Sequence, residues 1–485
     1  MAAPAPTGAP RALSAAHLPT AVARLCRALE GEEGGAAYVV GGAVRDLLLG
    51  RPTRDHDVAT PLVPERVAEV LRRHGFDVVP TGVRFGTLTA VPAEGGAPVE
   101  VTTLRAEGGY RDRRHPERVV WTTDVATDLG RRDFTVNALA WRPFVAGPGP
   151  GDGVLVDPYG GRRDLARRRL RAVGEPEARL REDPLRVARL FRLAAELGFR
   201  PEAATARAAR HAAPDLAYVA RERVRDELDR LLLAPRLADV MADVARVLLP
   251  HAIPLWRELT AFEESRWRGS LTAAALVDRR LRVDHKPVDL HSVLTAALCP
   301  PRPVLRWAAL LHDLGKPRTF ARTPSGRVAF HGHEAVGAEM AREAMRDLRQ
   351  PTRLTERVAA LVAVHLWPWE EASAAGLRRL VRQLGEEGAR DLLDLHRADV
   401  AASTPLGWPA YEAARKALEE AVAQTAAPGG RRLAVDGRDV MRVLGIRPGP
   451  RVGEVLRALG EVVLERPEEN TRERLLLRLA ERRWR

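Results

Sequence analysis

Residues 38–57 read YVVGGAVRDLLLGRPTRDHD. An apolar strand, a Gly-Gly turn, a short helix and two aspartates one residue apart leave few folding options. In Asp55-His56-Asp57 strand alternation places both carboxylates on one face and His56 on the other. Two carboxylates on one face suit Mg²⁺, a hard cation that takes oxygen ligands and also binds substrate phosphates. Gly41 and Gly42 leave room for a phosphate near the backbone, and the helix beginning near Ala43 turns its free N–H groups towards it. Pro98-Val99-Glu100-Val101-Thr102 alternates like a half-buried strand and sets Glu100 on one face. Asp55, Asp57 and Glu100 together make the acidic set that a two-metal, in-line displacement needs.

With these residues the chain resembles the nucleotidyltransferase superfamily of DNA polymerase β type. More narrowly it resembles the bacterial (class II) CCA-adding enzymes, that is tRNA nucleotidyltransferases, and the related poly(A) polymerases. Arg45 and Asp46 complete the GG-x-x-RD segment. Thr81-Gly82-Val83-Arg84-Phe85-Gly86-Thr87 is similar to the TG-x-x-FGT turn of CCA-adding enzymes rather than to the poly(A) polymerase segment. Arg105 to Pro116 carries two glycines and a cluster of charge. In the family this is the flexible loop needed to add the terminal A, and here it is full length, with Arg113 where the family more often has Gly. Arg131-Arg132-Asp133-Phe134-Thr135-Val136-Asn137-Ala138 matches the family's RRDFT-x-NA block. Arg132, Asp133 and Asn137 offer donors and acceptors suited to ribose hydroxyls and triphosphate oxygens. Asn137 is expected one helical turn after Asp133. Asp157 to Leu165 resembles the hinge between head and neck.

Arg181-Glu182-Asp183-Pro184-Leu185-Arg186 continues through Arg189 and Arg192. Asp183 and Arg186 are expected to share a helix face, three residues apart. Cytosine and adenine both present an exocyclic amine beside a ring-nitrogen acceptor. A carboxylate can accept from the amine while a guanidinium donates to the ring nitrogen. Uracil and guanine present the opposite pattern and would leave both charged groups unpaired. The resemblance assigns this templating role to Asp183 and Arg186, with Glu182 in support. CTP and ATP would be admitted without a nucleic-acid template.

A second set of residues follows the head. His291, then His312-Asp313 in ALLHDLGKP, then His333, His365 and Asp399, resemble in their order the HD phosphohydrolase superfamily. Imidazole plus carboxylate suits a divalent transition metal, which makes a hydroxide nucleophile for phosphoester cleavage. His291, His312, Asp313 and Asp399 are the expected ligands. His333 and His365 are candidates for a second metal or the phosphate, and Lys316 for neutralising phosphate charge.

The fold class implied is α+β: a polymerase-β-like head with a mixed sheet and helices, then an all-α neck, an HD-type helical domain and a helical tail. The expected organisation is 1–34 tail and helix, 35–145 head, 146–250 neck with the templating helix, 251–425 HD domain and 426–485 tRNA-binding tail. In the last of these, helix, Pro/Gly turn and helix would meet the body of the tRNA. A formal net charge of +13 over 485 residues suits a polyanion such as RNA. Nearly all of the positive charge is arginine; the lysines are Lys286, Lys316 and Lys416. Cys26 and Cys299 make no disulfide framework. No apolar run reaches transmembrane length and the N-terminus lacks the layout of a signal peptide, so a cytoplasmic location is expected.

The implied activity is template-independent addition of C and A to the 3′ end of tRNA, with two Mg²⁺ in the head and CTP, ATP and tRNA as partners. An A-adding specialist, a poly(A) polymerase, and an HD-type phosphohydrolase acting on RNA ends remain as alternatives.

Overall fold

The computed structural model describes residues 11–53, 55–110, 116–145, 153–267, 287–325, 328–404, 408–426 and 433–481. The chain divides into two compact units, Met1–Ala252 and Ile253–Arg485. Among the described residues no helix is long and apolar enough to cross a membrane.

The first unit is built on a seven-stranded sheet. Its strands are β1 (Tyr38–Val40), β2 (Asp57–Thr60), β3 (Phe76–Gly82), β4 (Thr87–Pro92), β5 (Val99–Thr103), β8 (Ala140–Arg142) and β9 (Val154–Val156), in the order β3-β4-β5-β2-β1-β8-β9. A separate hairpin pairs β6 (Arg105–Tyr110) with β7 (Pro116–Trp121). Its tip, residues 111–115 with Arg113, lies outside the described residues. All neighbours in the large sheet run antiparallel except β2 and β5, which run parallel with Val58 opposite Val101. That register carries Asp57 and Glu100 to the same end of adjacent strands. Apolar and β-branched residues explain these strands: Val39, Val58, Val99 and Val101 are buried while Asp57 and Glu100 stay exposed.

In the expected tail-and-helix segment 1–34 the chain forms a 3-10 turn, Ala15–His17, followed by α1, Thr20–Glu30. Pro19 separates them, since a proline cannot continue a helix hydrogen-bonded from behind. α1 is joined to the head by ion pairs, Glu30 with Arg142 and Arg24 with Glu94. α2 (Gly42–Leu48), α3 (Pro64–Arg73) and α4 (Val125–Gly130) complete the head helices. Around the central strands β1 and β2, Val40, Ala59, Leu104, Leu129, Ala138 and Ala140 form a common core. The longer helices that follow in this unit are α5 (Gly161–Ala166), α6 (Pro176–Glu182), α7 (Leu185–Leu197), α8 (Ala203–Ala212) and α9 (Arg221–Leu232), with a small parallel pair β10 (Arg169–Leu170) and β11 (Arg200–Pro201).

The second unit is helical, as expected, apart from a short antiparallel pair, β12 (Ala321–Arg322) and β13 (Val328–Ala329). Its long helices are α10 (Trp256–Trp267), α11 (Val288–Leu298), α12 (Pro303–Leu311), α13 (His333–Asp347), α14 (Thr352–Ala363), α15 (Ala374–Ser403) and α16 (Tyr411–Ala426). Then come α17 (Gly437–Leu444), α18 (Pro450–Glu465) and α19 (Arg472–Leu479) around Val440, Val455, Leu459 and Leu475. Buried Arg378 of α15 donates to the carbonyls of Leu464 and Glu465, satisfying the free end of α18.

Candidate active site and metal centre

In the first unit a cleft of about 560 Å³ gathers most of the residues expected from the sequence. Gly41, Gly42, Arg45, Asp46, Asp55, Asp57, Arg132, Asp133, Asn137, Asp183, Arg186, Arg189 and Arg192 line it. Asp55 and Asp57 are exposed and His56 is buried between them, but β2 begins only at Asp57, so Asp55 and His56 stand in the segment leading into the strand rather than on it. His56 Nε2 has no hydrogen-bond partner. Glu100 is not among the lining residues but stands beside Asp57: the protein packed around the strand end, which partly desolvates a carboxylate still open to solvent, comes first and the Glu100 carboxylate second in raising Asp57 above its ordinary value, and Arg132 only partly offsets them. Clustered carboxylates short of counter-charge are a fit for divalent cations.

Gly41 turns the chain into α2 with φ 68°. A Cβ there would lie 2.6 Å from an Arg132 guanidinium nitrogen. Glycine is therefore needed for the backbone, and any side chain there would push the Arg132 guanidinium aside. Arg45 donates to Asn137 Oδ1 at 2.6 Å and pairs with Asp46 at 2.9 Å. Asn137 in turn donates to Asp133 Oδ1 at 3.0 Å. The expected α-turn between Asp133 and Asn137 is instead a 3-10 turn, Thr135–Asn137, which still brings the two side chains together. Burial acts to raise Asp133, but Arg189, Asn137 and Arg186 outweigh it and hold the carboxyl down at about 2.

The templating pair departs from expectation. α6 ends at Glu182 and α7 begins at Leu185, so Asp183 is not on a helix with Arg186. Its φ of −143° is extended, as the residue before Pro184 must be. Asp183 pairs with Arg223 of α9 at 2.7 Å, and Arg186 pairs with Glu182 at 2.7 Å while donating to the carbonyls of Arg179 and Arg131. Both side chains nonetheless line the cleft. Arg189 bonds both Asp133 (3.1 Å) and Glu227 (3.2 Å), and buried Arg192 bonds Glu227 and Glu196. The sequence patterns above do not single out Arg223 and Glu227. Arg223 and Glu227 lie one turn apart on amphipathic α9, and that stripe was the available signal.

In the second unit His291, His312, Asp313, His333, His365 and Asp399 do converge. Asp313 Oδ2 lies 3.2 Å from His312 Nε2, and its Oδ1 lies 3.4 Å from His333 Nε2 and 3.9 Å from His365 Nε2. His291 Nε2 is 2.8 Å from Asp399 Oδ1 and 3.9 Å from Asp313. Two three-residue groups result, His291-His312-Asp313 and Asp313-His333-His365, each able to hold a metal ion, with Asp313 shared. The local backbone fixes the tautomers. Nδ1 of His312, His333 and His365 faces the carbonyls of Ala309, Phe330 and Val362 at 2.8, 2.7 and 2.8 Å. A carbonyl only accepts, so each Nδ1 carries the proton and, in the neutral ring, Nε2 carries the lone pair. His333 and His365 Nε2 atoms face each other at 3.2 Å. Buried lone pairs converging on a carboxylate are the donor set of a divalent transition metal. Burial lowers His312, but Asp313 and Asp399 outweigh it and raise it, while burial and His312 push His365 down to about 4. Gly315 of the HDLG turn is required for packing: a Cβ would lie 2.3 Å from the His333 carbonyl.

Comparisons with known proteins agree with this geometry. Residues 37–171 match the poly A polymerase head domain, 198–251 the probable RNA and SrmB-binding site of polymerase A, and 288–403 the HD domain. An A-adding tRNA nucleotidyltransferase of Deinococcus radiodurans is 40% identical over 88% of this chain and 91% of its own. A CC-adding tRNA nucleotidyltransferase of Thermus thermophilus is 36% identical over 88% and 90%. Among solved structures, the Bacillus stearothermophilus CCA-adding enzyme in complex with CTP superposes with a TM-score of 0.68 at 28% identity, covering 96% of this chain and 98% of that one. The chain belongs to the CCA-adding enzyme and poly(A) polymerase family of nucleotidyltransferases that carry an HD domain.

Proposed function

We propose that the first unit adds or repairs the 3′-terminal CCA of tRNA from CTP and ATP without a template. The observation that carries this reading is the cleft in which the Asp55/Asp57 edge and the Asp183/Arg186 pair both take part. Asp183 accepts from the exocyclic amine of cytosine or adenine, and Arg186 donates to the neighbouring ring nitrogen. Arg223 and Glu182 hold these two groups in place before the base arrives, and UTP or GTP would turn a carbonyl towards Asp183 and an N–H towards Arg186, the wrong pattern for both. Asp133 and Asn137 face the ribose, and Arg45 and Arg132 the triphosphate. The family implies a divalent metal; Asp55, Asp57 and Glu100 would hold two Mg²⁺, which supply charge stabilisation for the attacking and leaving oxygens. The residues' own work is positioning and charge stabilisation.

The 40% identical relative named A-adding favours a second reading, an enzyme that adds only the last A. The segment from Arg105 to Pro116, which the resemblance makes the loop needed to add the terminal A, is full length, which supports either of these over CC addition. Three tRNA transcripts, ending at the discriminator base, at C and at CC, are incubated with Mg²⁺ and labelled CTP or ATP. Extension of all three to CCA supports full addition. A single A on the CC-ended transcript alone assigns the A-adding role, and long A tails a poly(A) polymerase.

The His/Asp cage supports an additional activity, metal-dependent hydrolysis of a phosphoester. The backbone-fixed imidazoles around Asp313 are the observation in its favour. Manganese- or nickel-dependent release of phosphate or opening of a 2′,3′-cyclic phosphate on RNA ends tests it.

A further inference from the structure

Beside the His/Asp cage stands a group of three phenylalanines that the metal chemistry does not use. The ring centres of Phe262, Phe320 and Phe330 lie 5.4, 6.0 and 6.1 Å apart, in edge-on or tilted contact. Phe330 is tied to the cage twice. Its carbonyl accepts from His333 Nδ1 at 2.7 Å, and its ring centre lies 5.6 Å from Lys316 Nζ. The same ammonium is 2.6 Å from Asp313 Oδ2. Phe320 keeps 39% of its surface exposed. Aromatic surface left in water is costly, and it is placed here two side chains, Phe330 and Lys316, away from the carboxylate shared by both halves of the cage. Inorganic phosphate, pyrophosphate or a sugar phosphate offers such a surface nothing. A nucleobase offers it a π face.

We infer that Phe320 and Phe330 form a stacking platform for the base of a nucleoside phosphoester whose phosphate lies at Asp313 and Lys316. The substrate class of this centre is then an unpaired nucleotide. The inference rests on the phosphohydrolase reading above and names its substrate. Lys316 stands where the two parts of such a ligand meet, shared between the Asp313 carboxylate and the Phe330 face. A base inside a duplex has both faces already stacked, whereas an unpaired one exchanges water for the platform, as in single-strand binding proteins.

The test titrates adenosine 3′-monophosphate and, separately, inorganic phosphate into the manganese-loaded full chain, reading the heat of binding. The chain carries Asp55→Ala and Asp183→Ala, which remove metal and base contacts of the head cleft. The expected result is that the nucleotide binds about tenfold more tightly than phosphate, the lower end of what one base–aromatic stack supplies. Phe320→Leu, which keeps apolar bulk without a π face, and Phe320→Ala should both bring the nucleotide down towards phosphate. Affinity for phosphate and manganese stoichiometry should not change. Equal binding of the two ligands before substitution, or a preference that survives both variants, overturns the platform and leaves the hydrolase reading standing. Binding of neither ligand overturns both.

Discussion

The cleft of the first unit and the cage of the second are both built around carboxylates, but they are prepared in opposite ways. In the cleft Asp55, Asp57 and Glu100 are exposed at strand ends, and what is locked in advance is the surrounding arginine set, held by Glu182, Asp133 and Glu227. In the cage the carboxylate is locked: Asp313 is buried among imidazoles whose tautomers the backbone has already chosen. A site whose anionic substrate arrives with its own Mg²⁺ needs prepositioned cations and open carboxylates. A site that keeps a transition metal needs a closed donor set with fixed lone pairs.

The largest test of this contrast is to remove one carboxylate from each. Asp57→Ala should lower nucleotide addition by about 10³-fold or more, because the developing charge loses its cation-binding edge. It should leave transition-metal binding by the cage unchanged. Asp313→Ala should abolish that binding, measured by dialysis against nickel or manganese, while addition in Mg²⁺ persists. If addition survived Asp57→Ala, the assignment of the cleft would fail. If Asp313→Ala kept full metal stoichiometry, the cage would have been misread.

A second test concerns selectivity. Asp183→Ala removes the acceptor for the exocyclic amine and frees Arg223. The ratio of kcat/KM for CTP over UTP should fall by about 10²-fold, since a missing hydrogen-bond partner costs about 1–3 kcal/mol per group. Arg223→Ala should produce a smaller fall in the same direction, mostly in kcat/KM, because Asp183 stays but is no longer held. An unchanged CTP preference in Asp183→Ala would locate base selection elsewhere.

The contrast also explains what was legible in the sequence. Both centres announced their reacting groups, because chemistry fixes residue types and spacing: two aspartates alternating into the start of a strand, and a histidine and an aspartate adjacent, which the fold places in the turn just past Leu311 of α12 rather than on a helix. The partners that hold those groups were not legible. Glu227 and Arg223 come from α9, 35 or more residues from the side chains they grip, and no local rule links α9 to α7. The helix expected to carry Asp183 and Arg186 together failed at Pro184. That break was in fact written locally, in the restriction a proline places on the residue before it. The sheet order, with β5 between β4 and β2, needed the tertiary fold, although each strand's alternation was visible.

Stability separates the two halves of the contrast further. Glu227 lies between Arg189 and Arg192, and Arg192 is almost fully buried. Glu227→Ala leaves a buried guanidinium with Glu196 as its remaining carboxylate, so unfolding of the first unit should become easier by about 3 kcal/mol. Denaturant melts followed with a probe in each unit would check this, and a change in the second unit's transition would contradict it.

The smallest effect expected is a pH dependence. Asp133 sits at about 2 in the folded chain against an ordinary 3.8, held down by Arg189, Asn137 and Arg186 against its burial. A depressed folded-state value means that the carboxylate stabilises the fold above the ordinary value, and that this contribution is lost as pH falls from 3.8 towards 2. It amounts to about 2 kcal/mol. Asp133→Asn should therefore be less stable than the parent by a constant margin from about pH 5 to about pH 7, and the margin should narrow below about pH 4. Urea melts at a series of pH values measure it. A margin that stayed constant down to about pH 3 would mean that the substitution removes a packing or hydrogen-bond role rather than a charge, and the arginine frame around the cleft would then be held by geometry rather than by electrostatics.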